Sequence, residues 1–181
     1  MQKERVVLSV LVMGIFLLVL MQDPSTTGFV PSKSYTQGLN IEVSESQRFR
    51  LSGDSPLKFT SLMLSGEVKG KGLANIYLIA GEHRWLVYSN KQKQGREVSK
   101  ITGFATSELT IEPKEKLDIK ETLPEGYMTH EGQFSNECAE TCILDSNLLK
   151  DSEAWLEIIV GNQTRMKISD IIFTVETPEV E

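Results

Sequence analysis

Residues 73–88 read LANIYLIAGEHRWLVY, two runs rich in β-branched and aromatic residues on either side of a Gly81-Glu82 pair. Side chains in a strand alternate between faces, so apolar residues at every second position suit a strand and not a helix. Two such runs around a short glycine-containing turn make a hairpin. Upstream, Leu57, Phe59, Leu62, Met63 and Leu64 lead through Gly66 and Val68 to a Gly70-Lys71-Gly72 turn. That turn lacks the strand-to-helix setting of a phosphate loop. Downstream, strands fit residues 107–111, 116–119, 154–160 and 165–175. Across 154–160, Ala154, Leu156, Ile158 and Val160 share one face while Trp155 and Glu157 take the other. In the last run Met166 and Ile168 are in step, but Ile171, Phe173 and Val175 are one residue out of phase with them. A β-bulge near Asp170 brings both sets to the core. Beyond the N-terminal segment no helical period stands out, although residues 147–155 have room for a turn or two. The expected fold is all-β, a two-layer antiparallel β-sandwich.

Ahead of this domain, residues 6–21 read VVLSVLVMGIFLLVLM, apolar apart from Ser9 and Gly14. As a helix the run spans roughly 24 Å, somewhat less than a hydrocarbon core of about 30 Å, a shortfall that snorkelling flanks absorb. Lys3 and Arg5 precede it and Asp23 follows, so the positive-inside rule places the domain outside the cell. A cleaved signal peptide shares the charged start, but no Ala-x-Ala site closes this run, and no cysteine follows to carry a lipid. The expected organisation is a single transmembrane anchor over residues 1–22, a flexible stalk over 23–44 rich in Ser, Thr, Pro and Gly, and a sandwich domain over 45–177. The chain is expected in the cell membrane, single-pass, with its C-terminal domain extracytoplasmic. Ser9 and Gly14 are not four apart, so the small-residue helix-dimer motif is not met.

A net charge of -6 without a long basic run argues against a nucleic-acid partner, which needs clustered Lys and Arg on its phosphates. The densest basic stretch, holding Lys91, Lys93, Arg96 and Lys100, reads as a solvated hairpin tip. The two cysteines, Cys138 and Cys142, lie outside the cytoplasm on this topology, and their spacing lets them bond within a single turn. A structural disulfide is expected in preference to a redox pair, which more often has two intervening residues, or to a metal site with His130. His83 and His130 are the only histidines, and neither belongs to a recognisable catalytic motif. No catalytic residue, metal ligand or cofactor is therefore expected. Asn162-Gln163-Thr164 is a glycosylation sequon in a turn between strands. Trp155, Trp85 and Tyr88 are the aromatic residues that could stack on a ligand, with Trp85 and Tyr88 on opposite faces if alternation is unbroken.

The segment LSGEVKGKGLANIYL over residues 64–78 resembles a strand pair of jelly-roll sandwiches of the galactose-binding-like kind, and MKISDIIFTV over 166–175 is similar to their last strand. An N-terminal anchor with a late Cys-x-x-x-Cys also resembles externally displayed proteins of archaea with no assigned activity. The resemblance covers roughly residues 57–175 and implies a jelly-roll binding module of the cell envelope, with an envelope protein or a glycan as partner. In carbohydrate-binding relatives, calcium-ligating acids lie near the first strand; Glu42 and Glu45 stand there in this chain. An envelope hydrolase is the competing class.

Overall fold

A computed structural model describes residues 32–53, 58–93, 109–119, 121–148 and 153–176. The expected anchor over residues 6–21 lies outside them. Among the described residues no helix is long and apolar enough to cross a membrane.

The described chain forms eleven strands: β1 (Ser32–Val43), β2 (Gln47–Ser52), β3 (Phe59–Lys69), β4 (Ala74–Ala80), β5 (His83–Ser89), β6 (Lys91–Lys93), β7 (Thr110–Lys116), β8 (Tyr127–Thr129), β9 (Gly132–Glu137), β10 (Ala154–Val160) and β11 (Arg165–Glu176). One 3-10 turn, Ser146–Leu148, overlaps only the start of residues 147–155, where the sequence left room for a helical turn, and Ala154 and Trp155 belong to β10 instead. A four-stranded sheet runs β1-β11-β3-β9 and a five-stranded sheet runs β5-β4-β10-β2-β7, with every pairing antiparallel. β6 and β8 form a separate ribbon. The alternating residues of the two large sheets meet in one core, with Phe59, Leu62, Leu64, Ile76, Leu78, Leu156, Ile158, Met166 and Ile168 almost fully buried. This is the two-sheet antiparallel β-sandwich that the alternation implies.

β4 and β5 follow the expected hairpin closely, and β10 matches its expected bounds. The register shift expected near Asp170 falls between Ile168 and Asp170. It returns Ile168, Ile171 and Phe173 to the core side, where all are buried. Two expectations need correction. Residues 32–43, placed in the stalk, form β1 at the edge of the four-stranded sheet. Their Ser and Thr content hides a period of two in which Tyr35, Leu39, Ile41 and Val43 pack on the core. Residues 116–119 do not make a strand of their own; β7 instead ends at Lys116.

Two clasps join the sheets at opposite sides. On one, Ala139 and Glu140 donate backbone N–H groups to Val87 and Leu86 of β5, and Leu86 donates back to the Glu140 carboxylate at 2.7 Å. The same loop bonds β3: Leu62 N–H reaches Thr141 O at 2.9 Å, Thr141 Oγ1 donates to Leu62 O at 2.6 Å, and Leu144 N–H reaches Thr60 O. On the other side, the Gln37 amide of β1 both donates to and accepts from the backbone of Leu109, which leads into β7. Asn90, buried where β5 ends, accepts from Ala74 N–H at 2.8 Å and donates to Gly72 O and His130 O.

Candidate functional site

The outer face of the five-stranded sheet carries the densest chemistry. Cross-strand register sets out two rows on it. Tyr77 of β4, Glu157 of β10, Arg48 of β2 and Glu115 of β7 stand side by side in one. In the next stand Arg84, Ile79, Trp155, Arg50 and Glu112. Glu157 is the centre of the first row, its side chain only 3% exposed although it points away from the core. A buried carboxylate needs charge partners and hydrogen-bond donors. Arg48 supplies one at 2.7 Å, and Arg84 supplies two, from Nε at 3.0 Å and from its terminal nitrogen at 2.8 Å.

Arg84 also lies flat over the Tyr77 ring at 3.5 Å and reaches Glu121 at 3.1 Å. Burial works against its charge, but the hydrogen bonds to Glu121 and Glu157 outweigh it and raise its pKa. Glu121 belongs to a strap that leaves the end of β7 at Leu117 and meets β4 and β5 at Glu121. Leu117 N–H bonds Ser46 O at its start, and the Glu121 carboxylate then takes donors from Asn75, Tyr77 and Arg84. Burial, followed by the charge of Glu121, raises the pKa of the Tyr77 hydroxyl, so it stays a hydrogen-bond donor. Beside the strap lies an open cleft of about 600 Å3, lined by Glu45, Lys116, Ile119, Glu121, Ile159 and Asn162 among others.

Trp155 is half-buried on this face, directly opposite Ile79 and Arg50. Arg50 is held in turn by Glu153. The expected split of Trp85 and Tyr88 onto opposite faces is not what forms. A register shift between Ile76 and Tyr77 absorbs one residue of β5, so Trp85 opposes Leu78, Tyr88 opposes Ile76, and both pack on the core side. Tyr88 stacks on Phe134 at 3.8 Å; burial and then the Glu137 charge push its pKa up to about 12. Trp85 stacks on His83 at 5.3 Å along the edge strand.

Cys138 and Cys142 form a disulfide with Cα atoms 4.9 Å apart. It closes the tip of the clasp that bonds β3 and β5, and leaves Ile143 beside it 90% exposed. Asn162 is exposed in the turn between β10 and β11, while Thr164 of the sequon is buried and accepts Gly72 N–H at 2.8 Å. Gly70 in the facing turn has φ 103°, and a Cβ there would come within 2.2 Å of Gln163 O, so this close contact needs glycine. Among the described residues no group of three or more His, Cys, Asp or Glu is arranged to hold a metal ion. Glu45, one of the two acids near the first strand, is engaged by Lys116 at 2.6 Å.

Sequence reading singled out Trp155 and missed its neighbours Glu157, Arg48, Arg84 and Glu121. One signal was available: Glu157 interrupts the apolar stretch 154–160 at a central position, where a charge needs partners from neighbouring strands. No family model, no curated protein and no solved structure matches this chain.

Proposed function

We propose that this chain is a binding module of the cell envelope, a jelly-roll sandwich held outside the membrane by a single N-terminal helix, and that it recognises a glycan on the outer face of its five-stranded sheet. Support for the jelly-roll reading comes from strand order. β1, β3, β9 and β11 lie in one sheet and β2, β4, β5, β7 and β10 in the other, so most successive strands of the two sheets alternate between them, the steps from β4 to β5 and from β5 to β7 excepted. The anchor and its orientation rest on the apolar run at residues 6–21 with Lys3 and Arg5 before it.

The observation that carries the ligand class is Trp155, an aromatic surface set among charges that are already paired. Arg48 pairs with Glu157, Arg84 with both Glu157 and Glu121, and Arg50 with Glu153. A face of matched donors and acceptors around a ring suits a neutral polyhydroxylated ligand, whose hydroxyls both give and accept hydrogen bonds while its C–H face stacks on the indole. A protein partner would be met by a contiguous apolar surface, and this face is polar on every side of Trp155 except Ile79. The reading includes no catalytic step and needs no cofactor.

Intact cells displaying the full chain, probed from outside with a panel of labelled neutral oligosaccharides, test both parts. Wild-type cells are expected to retain at least one glycan, and Trp155→Ala to lose it by tenfold or more. Signal that appears only after permeabilisation would overturn the topology. Retention unchanged by Trp155→Ala, or no retention at all, would overturn the face and leave a protein partner as the alternative.

A further inference from the structure

A sandwich of two open sheets has four edge strands, and an exposed edge presents unpaired N–H and C=O groups to any other strand. Three of the four edges here are closed. β5 is covered by the disulfide loop, through Ala139 and Glu140. β7 carries Pro113, which has no N–H to donate, between Glu112 and Lys114 and ahead of Glu115 and Lys116. β9 is short, shifts register against β3 between Leu64 and Gly66, and contains Asn136 at φ 54°. β1 differs. Among the described residues its only strand neighbour is β11, and from Ser32 to Gly38 it pairs without a register shift. That stretch, SKSYTQG, has no proline and a single charge, Lys33. Beyond Gly38 the register shifts, and Asn40 at φ 49° ends the regular edge.

We propose that the Ser32–Gly38 edge of β1 pairs antiparallel with the same edge of a second copy of this chain, joining two four-stranded sheets into one continuous sheet. The register is centred on Tyr35. In it Ser34 faces Thr36 and Lys33 faces Gln37, so no like charges oppose one another. The parity of the faces also agrees. Tyr35 and Gln37 point to the core side and Ser34 and Thr36 to the outer side, so each residue meets a partner on its own face. The two Tyr35 rings meet at the centre, each already stacked on Phe173 at 5.4 Å. A second copy is favoured over a foreign strand because an antiparallel edge is its own complement, and this one carries no charge pattern to select another sequence. Gln37 spends its amide on the backbone of Leu109 and so holds this end of the edge in place.

The full chain in detergent micelles tests this. The protein mass is expected to be that of two copies. Ser34→Cys and Thr36→Cys, prepared separately, are expected to crosslink under mild oxidation when mixed and not when alone, since residues directly opposite across the seam lie about 4.5–5.5 Å apart at Cα. The native cysteines are already bonded to each other and do not compete. Ser34→Lys with Thr36→Lys puts lysine opposite lysine and is expected to raise the dissociation constant tenfold or more. Ser34→Glu with Thr36→Lys puts opposite charges there and is expected to keep the dimer. A protein mass of one copy, crosslinking within either single variant and not in the mixture, or equal behaviour of the two double variants would each overturn the proposal.

Discussion

The two outer faces of the sandwich use opposite chemistry on the same scaffold. On the five-stranded sheet, a buried carboxylate, Glu157, is gripped by Arg48 and Arg84, and Arg84 is held in turn by Glu121. On the four-stranded sheet, Ser34 and Ser61 share the hydroxyl of Thr174 at 2.8 and 2.9 Å, and Ser65 bonds Asn136. Hydroxyls surrender little when they leave each other for water, because they carry no charge and rotate to new partners. A buried ion cluster has no such freedom. One face is therefore preorganised and intolerant of change, the other forgiving.

The sharpest way to break this contrast is to strip both arginines from Glu157. Arg48→Ala with Arg84→Ala leaves an unpaired carboxylate in place and is expected to lower unfolding free energy by about 3–5 kcal/mol, measured by denaturant titration at neutral pH. A loss under about 1 kcal/mol would mean that water reaches Glu157 freely and that the two faces do not differ. The matching change on the hydroxyl face, Thr174→Val, is expected to cost about 1 kcal/mol in the same titration. Equal losses from the two would remove the distinction.

The smallest effect concerns Glu137, which lines a cleft on the four-stranded side and forms no ion pair among the described residues. Burial raises its pKa above the ordinary 4.5. The folded state thus holds this proton more tightly than the unfolded one. Stability from this group is present at low pH and is lost as pH rises from 4.5 through the raised folded value. Glu137→Gln is expected to flatten that dependence and to melt slightly higher than wild type at pH 7. A variant whose melting temperature tracks wild type across this range would show that Glu137 is fully solvated.

Much of the fold was legible because it rests on local alternation. The 73–88 hairpin, the strand over 154–160 and the bulge beside Asp170 all follow from side-chain period. β1 was not, because Ser, Thr and Gly dominate residues 32–38, and composition of that kind reads the same in a stalk and in an edge strand whose apolar partners are supplied by β11. The strap was hidden for another reason: Glu121 acts only once β4 and β5 bring Asn75, Tyr77 and Arg84 together from two strands. Trp85 and Tyr88 went astray on a single extra residue in β5, and the sequence carries no glycine there to announce it. Tertiary contacts, not propensity, decide such places.

The pairing of Ser32 with Glu176 places the entry of β1 and the exit of β11 directly across from each other at one end of one ladder. Tension applied between those two points would load the hydrogen bonds of that ladder one after another, peeling β1 away as a zipper opens. Tension applied between Ser32 and Trp155 meets a different resistance. It must pass from one sheet to the other, through the packed core and the two clasps, so many contacts share it at once. The same domain would thus yield softly when stretched along its chain and hold firmly when pulled across its two sheets.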